Sequence, residues 1–81
     1  MERSEIIKNI NSCLAEEFEK DETTFSADGN LYDVLEIDSL DLVDIIVLIE
    51  KKFGIKTAKE DFADVKTFNN LYDFLENRIN K

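Results

Sequence analysis

The stretch L35-E-I-D-S-L-D-L-V-D-I-I-V-L-I-E-K-K-F-G54 contains no proline, and its only glycine is its last residue. Its apolar residues recur at three and four positions rather than two, the spacing of an amphipathic helix. A helix is therefore predicted from Ser39 to Phe53. Gly54 stands where a left-handed C-terminal cap is needed, and Lys51 and Lys52 meet the negative end of the helix dipole.

The same spacing runs through the rest of the chain, whose only breakers are Gly29 and Gly54. Ser4 is the expected N-cap of a first helix ending near Lys20, with Ile6, Ile7, Ile10, Cys13, Leu14 and Phe18 on one stripe. A short helix is expected from Lys59 to Ala63. A last one begins at Thr67 and carries Phe68, Leu71, Tyr72, Leu75 and Ile79 on one face. The expected fold class is all-α: a small four-helix bundle of three longer helices plus one short helix, with a long loop between helices one and two. Such long loops are functional or packed by their own side chains. This one carries Phe25, Leu31, Tyr32, Leu35 and Ile37, and is expected to lie across the bundle as a lid with a helical turn around Leu31 to Leu35. N30-L-Y-D-V-L-E36 is echoed by N70-L-Y-D-F-L-E76, but nothing flanking the two copies matches. They read as two short amphipathic turns rather than a duplication.

Eighty-one residues allow one small domain, 1–81, with one core. A chain this short buries only about 60% of the surface its unfolded form exposes, which disfavours a large enclosed cleft. Histidine and tryptophan are absent and Cys13 is the sole cysteine. Cys/His zinc patterns, Ser-His-Asp and Cys-His arrangements and an internal disulfide are thereby removed, and an enzyme is not expected. Cys13 is expected as a packed core thiol. The net charge of −9 repels nucleic-acid phosphates and anionic membranes, and it draws in proteins with basic patches. It also keeps a small domain soluble. No apolar run approaches the roughly 18 residues of a spanning helix, and Met1-Glu2-Arg3 begins no signal peptide, so a monomer in a reducing cytoplasm is expected.

Turning about 100° per residue from Ser39 places Leu42, Ile45, Ile46, Ile49 and Phe53 on one arc of about 100°, the core face. Leu40, Val43 and Val47 form a separate patch between Ser39 and Asp44. A helix packed in a small bundle buries one stripe, so this second patch is either covered by the long loop or offered to a partner. Two readings of Ser39 are also open. Asp and Ser are both preferred N-caps. If Asp38 takes that role, the Ser39 hydroxyl is left on the first turn, pointing outward, where a phosphate ester would meet the positive end of the helix dipole.

L31-Y-D-V-L-E-I-D-S-L-D-L-V-D-I-I-V-L-I-E-K-K-F53 resembles the central segment of the acyl carrier proteins, with D38-S39-L40 matching the family's Asp-Ser-Leu attachment motif. Leu31, Asp33 and Leu35 upstream, and Asp41, Val43, Asp44, Leu48, Glu50 and Phe53 downstream, make the resemblance specific. G54-I-K-T-A-K-E-D-F62 and the closing helix extend it over essentially the whole chain.

The resemblance implies that a phosphopantetheinyl transferase attaches 4'-phosphopantetheine from coenzyme A to Ser39, with Mg²⁺ supplied at that enzyme. The arm's thiol holds acyl groups as thioesters, and the carrier itself catalyses nothing. It implies docking of acyl-loading, acyl-modifying and acyl-accepting enzymes with basic patches, through Asp38, Asp41, Asp44 and Glu50 and through Leu40, Val43 and Val47. It also implies shelter for the acyl chain among Leu42, Ile45, Ile46, Ile49, Ala63, Phe68, Leu71 and Leu75, residues that equally form an ordinary core.

Three departures from the pattern of fatty-acid synthesis carriers stand out. A glycine is usual where Glu36 stands, acids where Lys51 and Lys52 stand, and a proline where Lys56 and Thr57 stand. A carrier dedicated to one acyl, polyketide or aminoacyl system fits these departures. The alternatives are a peptidyl or D-alanyl-type carrier on the same plan, or a small acidic helical interaction protein without a prosthetic group.

Overall fold

A computed structural model describes residues 2–80. Four α-helices follow one another: α1 (Arg3–Phe18), α2 (Leu31–Leu35), α3 (Leu42–Phe53) and α4 (Phe68–Ile79). Three 3-10 turns, Glu22–Thr24, Ser39–Asp41 and Lys59–Phe62, lie between them. The chain is all-α among the described residues, as its periodicity requires. The short α-helix is α2, whereas the short helix expected at Lys59–Ala63 is a 3-10 turn ending at Phe62.

The start of α1 differs from expectation, and its end near Lys20 does not. Its N-cap is Glu2, without a side-chain cap, and Ser4 lies inside the helix. The start is held instead by Arg3, which pairs with Asp73 at 2.8 Å and Glu76 at 3.1 Å and donates to Asn69 at 2.7 Å, all on α4. These contacts raise the Arg3 pKa, the Asp73 hydrogen bond most of all. The helix stops at Phe18 because Glu19 adopts the left-handed conformation, φ 54°. At the end of α3 the same turn falls to Gly54, φ 70°, which takes it at no steric cost.

The core unites Ile6, Ile10 and Leu14 of α1, Leu31 and Leu35 of α2, Leu42, Ile45 and Ile49 of α3, and Phe68, Leu71, Tyr72 and Leu75 of α4. Phe62 and Val65 complete it. Cys13 falls at the edge of the α1 stripe, half-buried, rather than inside the core. Burial pushes the Tyr72 phenol pKa up, while its hydroxyl donates to Asn11 at 2.8 Å.

The long loop is packed, not loose. Phe25 stacks on Phe68 with ring centroids 4.8 Å apart. Its backbone is bonded to the entry of α4: Leu31 N–H donates to the Lys66 carbonyl at 2.8 Å, Phe68 N–H to that of Gly29 at 3.2 Å and Asn69 N–H to that of Ala27 at 2.9 Å. The two Asn-Leu-Tyr-Asp segments meet here in different roles. Asn30 is the N-cap of α2, accepting from Tyr32 and Asp33, whereas Asn70 sits inside α4 and accepts from Lys66 and Thr67.

Phe68 is therefore the hinge of the core, completely buried and stacked on the loop. Phe68→Ala is expected to cost about 3–5 kcal/mol, a large part of the roughly 4–12 kcal/mol typical of a chain this long. Leu40→Ala, at an exposed position, should stay within about 0.5 kcal/mol. Urea unfolding of the two variants measures the contrast.

Candidate functional site

The predicted helix from Ser39 is divided. Ser39–Asp41 form a 3-10 turn that runs directly into α3 at Leu42. Asp38 is the cap of that turn, with extended backbone and a carboxylate accepting from Leu40 N–H at 2.9 Å. Asp41 reciprocates, its carboxylate accepting from Asp38 N–H at 3.1 Å. The free N–H groups of the turn are thus bound by acids on either side of the serine.

Ser39 takes part only through its backbone, its carbonyl accepting from Leu42 N–H. It is exposed, and its hydroxyl makes no hydrogen bond among the described residues. Of the two readings of this serine, the cap is Asp38 and the hydroxyl of Ser39 is presented to solvent.

The second apolar patch is open. Leu40 is 74% exposed, Val43 53% and Val47 42%, and the loop lies elsewhere, over Phe68. Asp44 and Glu50 are exposed beside it, and neither carries an ion pair among the described residues. Asp38 and Asp41 differ from them in being bound into the cap.

The residues expected around an acyl chain lie mostly together. Ile45, Ile49, Phe68, Leu71 and Leu75 are fully buried, Leu42 nearly so and Ile46 half so. Ala63 is exposed, whereas Phe62, the last residue of the 3-10 turn, and Val65, three residues farther on, are buried instead. These two were missed by reading the segment at α-helical spacing; the i, i+3 pair of apolar residues was the available signal. Phe62 rests on Phe74, centroids 5.1 Å apart. Among the described residues no cavity opens between the helices, so the cluster is closed core in this state.

Two of the positions that depart from the expected pattern, Glu36 and Lys56, take part in structural contacts. Glu36 takes the left-handed cap of α2, φ 57°, where a side chain is disfavoured, and its carboxylate pairs with Lys20 at 2.9 Å. Arg78 of α4 pairs with Asp61 at 3.0 Å, donates to the Lys56 carbonyl at 3.3 Å and covers the Phe74 ring, fastening the segment after α3.

The family described as "Phosphopantetheine attachment site" matches residues 9–75, a span that includes Ser39 and all the elements around it. The chain is 31% identical over 77 residues to the acyl carrier protein of Thermotoga maritima, covering 95% of each. It is 28% identical over 79 residues to that of Thermosynechococcus vestitus, covering 98% of each, and 31% identical over 75 residues to that of Rubrobacter xylanophilus, covering 93% of each. With the match running through all four helices and the serine turn, the chain belongs to the acyl carrier protein family, whose members are carriers rather than enzymes and work through a 4'-phosphopantetheine prosthetic group.

Proposed function

We propose that Ser39 is the attachment point of 4'-phosphopantetheine, and that the chain, acting as a single carrier unit in the cytoplasm, delivers acyl groups to enzymes of fatty acid, lipid or polyketide-type biosynthesis. The observation that carries this reading is the division of labour at the turn. Asp38 and Asp41 satisfy the backbone, which leaves a primary hydroxyl exposed and unbonded between them. A phosphodiester on that oxygen fits, since Ser39 is exposed and stands at the positive end of the α3 dipole. When bound, the group supplies a terminal thiol that holds an acyl chain as a thioester.

The chain's own residues present the serine and guide the partner. Leu40, Val43 and Val47 offer an apolar contact beside Ser39, and Asp44 and Glu50 supply charges free to pair with basic groups across the interface. A phosphopantetheinyl transferase and the enzymes that load, modify and accept the acyl group share this face. Leu42, Ile45, Ile46 and Ile49, with Phe68, Leu71 and Leu75, line the route by which an acyl chain enters between helices when the core opens. Phe62 replaces Ala63 in that lining.

Incubation with coenzyme A, Mg²⁺ and a broad-specificity phosphopantetheinyl transferase should add the mass of one phosphopantetheine to the native chain and none to Ser39→Ala; an unmodified native chain with several transferases would overturn the attachment. Asp44→Lys should slow that reaction several-fold at low salt, the deficit shrinking as ionic strength rises. Asp41→Lys is a poorer test, because it also breaks the cap. Loading with an acyl chain should shift the methyl resonances of Ile45, Ile49, Leu71 and Leu75, and unshifted methyls would count against the pocket.

A further inference from the structure

One flank of the exposed face of α3 is bipolar. Taking Val43 as the origin and turning about 100° per residue, Val47 lies at about 40°, Lys51 at about 80° and Asp44 at about 100°, with Glu50 on the other flank at about −20°. Asp44 and Lys51 thus stand on the same flank of the Val43–Val47 patch, and all of these residues are exposed. Ion pairs among the described residues are made by Arg3, Lys20 and Arg78; Lys51 takes part in none. Lys52 falls at about 180°, on the side turned away from the patch, although it occupies the same last turn.

The two charges on that flank are seven residues apart, about 10 Å along the axis, which exceeds the Debye length of about 8 Å at physiological ionic strength. They act on a docked surface as separate charges rather than cancelling. Asp44 lies toward Ser39; at the far end of the same flank the sign is reversed.

We infer that Lys51 selects among the carrier's partners, favouring enzymes that place a basic group opposite Asp44 and an acidic group opposite Lys51, and rejecting those whose docking surface is basic along the whole length of α3. The inference deepens the proposed carrier function and rests on its docking face. Helix stabilisation explains a lysine in the last turn of α3, but it applies equally to Lys52 and does not depend on which side of the helix the charge occupies.

That symmetry supplies the test. Lys51→Glu and Lys52→Glu change the net charge and the helix end alike, and differ in whether the change faces the patch. The probe is a broad-specificity phosphopantetheinyl transferase with a basic docking surface, and the readouts are kcat and KM for modification of Ser39 at low and high salt, with thermal unfolding of each variant. Lys51→Glu should raise kcat/KM about three- to tenfold at low salt, through KM, and the gain should fade at high salt. Lys51→Gln should give an intermediate gain, Lys52→Glu should stay within about twofold of native, and both glutamate variants should lose similar stability. Among single basic-to-Glu variants of the transferase's docking surface, at least one should then prefer the native carrier to Lys51→Glu. Equal rates for Lys51→Glu and Lys52→Glu, or no transferase variant with the reversed preference, would overturn the inference while leaving the carrier function standing. A native chain that is never modified overturns the carrier function and the inference with it.

Discussion

The burial of Ile45 and Ile49 fixes the rotation of α3 about its own axis, and the candidate site depends on that rotation. Both side chains are fully buried in a core shared with α1, α2 and α4. With 3.6 residues per turn, holding positions 45 and 49 inward leaves 43 and 47 outward. The patch beside Ser39 is thus a geometric consequence of core packing. Burying it as well would require a further element, and the loop with the reach to do so is committed to Phe68 and the entry of α4.

That commitment places the loop. Three backbone hydrogen bonds join residues 27–31 to residues 66–69, so α2 and the start of α4 are located by one another. Arg3 and Arg78 then secure α4 from opposite sides, the first to α1 and the second to the segment that follows α3. Exposed ion pairs contribute little singly. Here they join hydrogen bonds and ring contacts, and their effect is to set which helix faces meet.

At the serine turn, local chemistry and placement separate. The acids flanking Ser39 bind the backbone of the turn, and those farther along α3 stay free in solvent. Aspartates that look alike in a charge count therefore differ in function: Asp38 and Asp41 hold the turn in shape, and Asp44 is available to a partner. A count of charges cannot make that distinction, because it depends on which carboxylate reaches a free N–H group.

Periodicity and breakers alone determined the all-α class, the extent of α4, the Gly54 cap and the two apolar faces of α3, since each follows from the angle between successive residues and from glycine's freedom at positive φ. It was the resemblance of Asp38-Ser39-Leu40 to the family's attachment motif that pointed to Ser39. Tertiary structure decided what angles along one helix cannot. It left Val43 and Val47 uncovered, and turned residues 59–62 into a 3-10 turn that buries Phe62 and exposes Ala63. It also made the helical turn expected at Leu31–Leu35 a regular α-helix and set the start of α1 at Arg3. These outcomes rest on contacts between residues far apart in the chain, and burial is settled only when the opposing surface is in place.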